Sequence, residues 1–155
     1  MIRDFETGDE AALKAVIRES GLFSIEELEA FDAMIEAHVP GASADFWCVE
    51  AEGAGAAWTA PEPMSGDVWN LRFLAVRTDA RRRGLGRALV RAAAEGARQR
   101  GGRLLLVETG SGPDLERARA LYIATGFAEQ GRIADYYAPG EAKVIFALPL
   151  RLESA

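Results

Sequence analysis

Leu71 to Arg103 reads LRFLAVRTDARRRGLGRALVRAAAEGARQRGGR. It opens on an apolar run, Leu71 to Val76, of strand character. A short polar turn leads into Arg81-Arg82-Arg83-Gly84-Leu85-Gly86-Arg87-Ala88. From there the pattern is helical: Leu85, Leu89, Ala92 or Ala93, and Gly96 recur at spacings of three and four, and Arg87, Arg91, Glu95 and Arg98 take the outer face. Gly101-Gly102 ends the helix. The first turn of a helix leaves backbone N–H groups without partners, and the helix dipole makes that end positive. Glycines let an anion approach those amides, and arginines add charge-assisted contacts. A strand, a basic glycine loop and a helix start therefore make a phosphate site. The spacing is wrong for a dinucleotide fingerprint, because the position three after Gly86 is Leu89, and no Gly-Lys-Ser/Thr follows as in a P-loop.

Downstream, Arg103 to Glu108 holds four apolar residues in a row, which predicts a strand covered on both faces. A strand, helix and strand joined this way need a crossover, so Val68–Arg77 and this strand should be parallel. Gly110-Ser111-Gly112-Pro113 is a loop with Pro113 placed at a helix start. Leu115, Ala118, Leu121 and Tyr122 form the next helical stripe, closed by Thr125-Gly126. Two strands, Phe127 to Ile133 and Lys143 to Leu150, flank a turn at Ala138-Pro139-Gly140.

Upstream, Met1 to Phe5 is a short edge strand. Thr7 or Asp9 caps a helix carrying Ala12, Leu13, Val16 and Ile17 and ending before Gly21. Ser24-Ile25-Glu26-Glu27 has the capping-box form and opens a helix presenting Leu28, Phe31, Ile35 and Val39, stopped by Pro40-Gly41. Phe46 to Ala51 and Ala54 to Ala60 are strands around Glu52-Gly53. The second of them is rich in small residues and weak on propensity. The predicted order is strand, two helices, three strands, helix, strand, helix, two strands, in one mixed α/β domain spanning residues 1–155 with helices on both sheet faces.

Composition narrows the function. The chain has 155 residues, 49% of them hydrophobic, enough for a single core. No leader of signal type and no run near the length of a membrane span is present, which predicts a soluble, cytoplasmic protein without a membrane partner. Cys48 stands alone in an apolar run and reads as a buried small hydrophobe. His38 reads as a capping or surface residue, and with one His and one Cys no zinc site is expected. The net charge is −6, spread unevenly: residues 1–60 carry 13 acids against 3 bases, and residues 61–155 carry 11 against 15. An acidic protein with one basic patch suits a small anionic ligand and not a nucleic acid backbone.

Val76 to Ala88 resembles the acetyl-CoA-binding motif of the GNAT superfamily of N-acyltransferases, Gln/Arg-x-x-Gly-x-Gly/Ala, with Arg81, Gly84 and Gly86 at its first, fourth and sixth positions. Ala118-Arg119-Ala120-Leu121-Tyr122-Ile123-Ala124-Thr125-Gly126-Phe127 resembles that family's later helix. The element order is similar over nearly the whole chain. The resemblance implies a GNAT-like fold with a central sheet of about seven strands, splayed between the fourth and fifth, opening a slot between Val76 and Leu106.

It also implies roles. Amides of Arg82, Arg83, Gly84, Leu85, Gly86, Arg87 and Ala88, with Arg81 beside them, would hold the CoA pyrophosphate. Leu74 and Val76 would pair with the pantetheine arm as an added strand, and an amide near Leu74 or Ala75 would polarise the thioester carbonyl. Tyr122 would meet the CoA sulfur and give the leaving thiolate a proton. Glu108 is the candidate general base, with Asp67, Asp135, Tyr136 and Tyr137 as rivals. Thr109 and Ser111 stand near where many members have an Asn. Trp58 and Trp69 read as sheet packing. Glu26, Glu27, Glu29, Asp32 and Glu36 read mostly as a solvated face that could also attract a cationic acceptor. The expected activity is acetyl transfer from acetyl-CoA to a primary amine by direct attack in a ternary complex, without metal. A CoA-sensing module on the same fold is the alternative, and a plain nucleotide binder is the third class. The family's habit also makes a homodimer an expectation.

Overall fold

The structure is a computed structural model and describes residues 1–150. In chain order the elements are β1 (Ile2–Asp4), α1 (Glu10–Glu19), α2 (Ile25–Ala37), β2 (Phe46–Glu50), β3 (Gly55–Pro61), β4 (Val68–Val76), α3 (Leu85–Gln99), β5 (Leu104–Gly110), α4 (Glu116–Ala124), β6 (Ala128–Ala138) and β7 (Glu141–Pro149). Single 3-10 turns, Thr78–Ala80 and Pro113–Leu115, precede α3 and α4. The seven strands form one mixed sheet in the order β1-β2-β3-β4-β5-β7-β6. The parallel β4–β5 ladder runs from Val68↔Leu104 to Leu71↔Val107, and β4 continues past it to Val76. Contacts divide the chain into two compact units, Met1–Thr59 with Phe73–Ala93, and Ala60–Arg72 with the chain from Ala94 on.

In the first unit the stripe on α1 places Leu13, Val16 and Ile17 in a core with Phe5, Ile35, Trp47, Val49, Ala56, Phe73 and Ala75. Burying side chains of this size contributes roughly 1.5–3 kcal/mol each. Trp47 stacks on Trp58, and Phe23, Phe31 and Phe73 close the cluster. The Ser24 cap forms as expected, its Oγ accepting from Glu27 N at 3.2 Å. Asp9 precedes α1 but does not cap it with its side chain, because that carboxylate receives the Arg3 guanidinium at 2.8 and 3.0 Å and the Glu6 amide. Val39 lies past the end of α2 and is 60% exposed, so the expected stripe ends at Ile35. Asp32 and Glu36 are paired with Arg18 and Lys14 of α1, so these two acids tie the helices together.

The weak-propensity strand β3 has a physical reason. A Cβ at Gly55 would meet Ala75 O and Leu89 Cδ1, both at 2.9 Å. Small residues let β3 approach β4 and α3 closely, and Ala56 and Ala57 are fully buried there. Cys48 is buried among apolar strand residues, as expected. His38 follows α2 with its imidazole turned inward, edge-on to Phe5 and with Nδ1 3.8 Å from Asp45 Oδ2. The capping role expected for it holds, because it is the C-cap residue of α2 with its N–H donating to Ile35 O at 3.2 Å, whereas the surface alternative is corrected.

In the second unit β5 pairs with β7 along its whole length, from Leu104↔Pro149 to Gly110↔Lys143. Leu105 and Val107 are buried, whereas Leu104 and Leu106 are only half-buried, so β5 has one covered face and one partly open one. The expectation of full cover on both faces fails here. Tyr122 of α4, Phe127 and Phe146 pack on the covered side. β6 is longer than its apolar content suggests and is exposed along nearly all its length. Its register with β7 breaks between Ile133 and Ala138. Trp69 is buried in the sheet.

Candidate active site

The first unit carries the candidate phosphate loop. Arg77 N donates to Ala54 O at 2.7 Å and Thr78 N to Glu19 Oε1 at 2.9 Å, anchoring the chain as it leaves β4. Ala80 is buried and pins the 3-10 turn. Arg81 to Gly84 are then exposed. Arg82 (φ 66°) and Gly84 (φ 77°) both adopt left-handed backbone, which turns successive amides toward one side. Ala88 N donates to Gly84 O at 3.0 Å, the first bond of α3. Among the described residues, the amides of Arg82, Arg83, Gly84, Leu85, Gly86 and Arg87 have no protein hydrogen-bond partner. Unspent amides in a row, a dipole behind them and exposed guanidiniums at Arg82, Arg83 and Arg87 fit a diphosphate. Arg81 Nε instead turns back toward Val76 O at 3.4 Å. Arg77 is held by Asp79 at 3.0 and 3.2 Å. The expected strand positions alternate, with Ala75 buried and Leu74 and Val76 half-buried.

The second unit carries the candidate proton donor. Tyr122 is 6% exposed, with ring centroids 5.7 Å from Phe127 and 6.0 Å from Phe146. Burial pushes its phenol up to about 12. Among the described residues, the fully enclosed polar side-chain atoms without a partner are Trp47 Nε1 and Thr59 Oγ1, so the Tyr122 hydroxyl keeps some access. A phenol in that state remains protonated at neutral and mildly alkaline pH.

Glu108 lies on the open face of β5, just past Val107. Its Oε2 receives Lys143 Nζ at 3.0 Å, and that ammonium sits 4.3 Å over the Tyr136 ring. Lys143 escaped the reading of the sequence, although it is one of two lysines in a chain of 18 basic residues. The rival bases fare differently. Asp67 is held by the Arg103 guanidinium at 3.0 and 3.2 Å, which keeps its carboxyl below the usual range. Asp135 accepts from Gly140 N at 2.8 Å and shapes the β6–β7 turn. Tyr136 and Tyr137 stay beside Lys143, half-exposed and edge to face at 4.9 Å.

The loop after β5 is also fixed from within. Thr109 is buried, and Ser111 Oγ accepts from Ala142 N at 2.8 Å. Arg119 Nη1 donates to Gly110 O at 2.6 Å and Gly112 O at 2.8 Å, a clamp that the sequence reading also missed.

Residues 13–127 match the family model described as Acetyltransferase (GNAT) family. The chain belongs to the GNAT acetyltransferase family. No curated protein matched the chain. Among solved structures, a GNAT-family acetyltransferase from Desulfovibrio desulfuricans superposes with a TM-score of 0.89 at 25% identity, covering 97% of this chain and 99% of that one. The ribosomal-protein-S18-alanine N-acetyltransferase from Escherichia coli gives 0.76 at 25% identity over 99% and 96%. An acetyltransferase from Salmonella typhimurium, solved with acetyl-CoA, gives 0.79 at 18% identity over 100% and 96%, a likeness of fold. The GNAT membership thus accounts for the mixed seven-stranded sheet.

Proposed function

We propose that the protein is a cytoplasmic N-acetyltransferase that moves an acetyl group from acetyl-CoA to a primary amine, by direct attack in a ternary complex. The observation that carries the reading is the row of unspent amides from Arg82 to Arg87, ahead of a helix and behind two left-handed residues. No described helix is long and apolar enough to cross a membrane. Residues 1–155 serve in this reading as one functional domain.

Acetyl-CoA supplies an activated thioester whose carbonyl carbon an amine can attack, releasing CoA as a thiolate that needs a proton. Arg82 to Arg87 bind the diphosphate with backbone N–H groups, and Arg82, Arg83 and Arg87 add charge. Leu74, Ala75 and Val76, beyond the β4–β5 ladder, offer backbone groups to the pantetheine arm. Tyr122 holds a proton on its phenol oxygen and gives it to the leaving sulfur. Glu108 accepts a hydrogen bond from the acceptor's ammonium and takes the proton that the amine sheds. No metal enters this scheme.

The ion pair between Glu108 and Lys143 favours one other reading, a CoA sensor without turnover, because the carboxylate is already partnered. Thiol release on mixing acetyl-CoA with an amine panel separates the two. Turnover with any amine supports the enzyme. Binding of acetyl-CoA without turnover across the panel leaves the sensor.

A further inference from the structure

The open face of the β5–β7–β6 half-sheet carries an arrangement that diphosphate binding and proton donation leave unused. Glu108 is a third exposed, and Lys143 is mostly buried, its side chain 14% exposed. The pair is not sealed in the core, where it would be a weak contributor to stability. It is presented at a half-open surface with polar valences to spare. Lys143 has three N–H donors, of which Glu108 takes one and the Tyr136 face another. Burial works against the Lys143 ammonium, yet Glu108 and Tyr136 more than offset it and hold its pKa above the ordinary lysine value.

The strand beside this pair is built to bring aromatic surface to it. Between Ile133 and Ala138 the β6 register slips, and Asp135 takes a left-handed φ of 54°. Irregularities of this kind re-aim side chains. Tyr136 turns to Lys143, and Tyr137 packs edge-on against Tyr136 with about half its surface exposed. The groups that face Glu108 and Lys143 are thus Tyr136 and Tyr137 of β6, with Glu141 at the start of β7 contributing to the same field.

We infer that Glu108 and Lys143 form a paired-charge seat for a free α-amino acid as acetyl acceptor, with Tyr136 and Tyr137 as the wall for its side chain. The carboxylate of Glu108 meets the acceptor's ammonium, and the ammonium of Lys143 meets its carboxylate. In an α-amino acid the two charges are joined by one carbon and stand about one hydrogen-bond length apart, as the two charges of the seat do. A zwitterion brings no net charge and gives each seat residue a second opposite partner. A polyamine would place its positive charge beside a buried lysine. This inference rests on the proposed acetyl transfer to an amine.

The test compares phenylalanine, phenylalaninamide and phenethylamine as acceptors, by thiol release from acetyl-CoA and by calorimetric binding with CoA present. The wild type should favour phenylalanine over both analogues by at least about tenfold in kcat/KM. Lys143→Met should collapse that ratio, mainly through KM, and Lys143→Arg should keep most of it. Equal or better use of the amide or the amine by the wild type overturns the seat, and so does a preference that survives Lys143→Met. If Lys143→Met does not fold, the wild-type ratio decides. If no acceptor gives thiol release, the acetyl-transfer reading fails on its own. The seat is then judged by binding: phenylalanine bound and phenylalaninamide not bound keeps it, and no difference between them overturns it.

Discussion

Tyr122 is the residue on which the proposed chemistry turns, and its environment makes two predictions. Its ring is packed on Phe127 and Phe146, so its phenol stays protonated to about 12, against 10.0 for a free tyrosine. Turnover by a phenolic donor should rise with pH as the acceptor amine loses its proton and show no alkaline fall from Tyr122 below pH ~10. Tyr122→Phe should lower kcat by ten- to a thousandfold with acetyl-CoA affinity nearly unchanged; unaltered kcat removes Tyr122 from the mechanism. The same burial is a stability statement. A folded-state pKa above the unfolded one favours the native state while the phenol is protonated, so its contribution is complete below pH 10 and is lost between 10 and about 12. The loss is about 2–3 kcal/mol at most. Urea unfolding at pH 8 and pH 11 should show a drop for the wild type that is largely absent in Tyr122→Phe.

At the scale of elements, the strand–loop–helix stretch from Leu71 to Arg103 was legible because its signals agree: an apolar run, a glycine where φ must be positive, and a helical stripe. Gly84 is the checkable point. With φ of 77° an added Cβ is strained by roughly 1–2 kcal/mol although space is open around it. Gly84→Ala should therefore weaken acetyl-CoA binding by calorimetry through loop geometry, about three- to tenfold, and lower the melting temperature by a few degrees. Gly55→Ala should act on stability and leave acetyl-CoA binding nearly unchanged. Its Cβ would strike backbone at Ala75 and the Leu89 side chain, costing about 1–3 kcal/mol in chemical denaturation. Other elements were less legible, for physical reasons. β6 buries neither face, so it shows no alternation, and the strand signal in the sequence stops at Ile133. Val39 looked like the next turn of an apolar stripe, but α2 ends at Ala37 and the chain is already extended at His38. Glu108, Lys143 and Tyr136 come from three strands, and only the β5–β7 register and the slip in β6 bring them together.

At the scale of the molecule, the uneven charge counted from the sequence acquires a place. The arginines at 82, 83 and 87 lie exposed at the loop of free amides, while many acids of the first sixty residues are spent locally. Asp9, Asp32, Glu36 and Glu50 hold Arg3, Arg18, Lys14 and the N-terminal amine. What remains is an acidic protein with one basic mouth, so acetyl-CoA affinity should fall as ionic strength rises. The family and the sheet were within reach of the sequence because motif spacing and element order are properties of the chain. The partners of the candidate base were not, because side-chain pairing across strands depends on register. The most direct test of the account is thiol release from acetyl-CoA by the wild-type protein with a panel of primary amines that includes free amino acids, with the acylated product identified by mass. The account predicts thiol release matched mole for mole by an N-acetylated amine. Tight binding of acetyl-CoA with no acetylated product from any amine would contradict it.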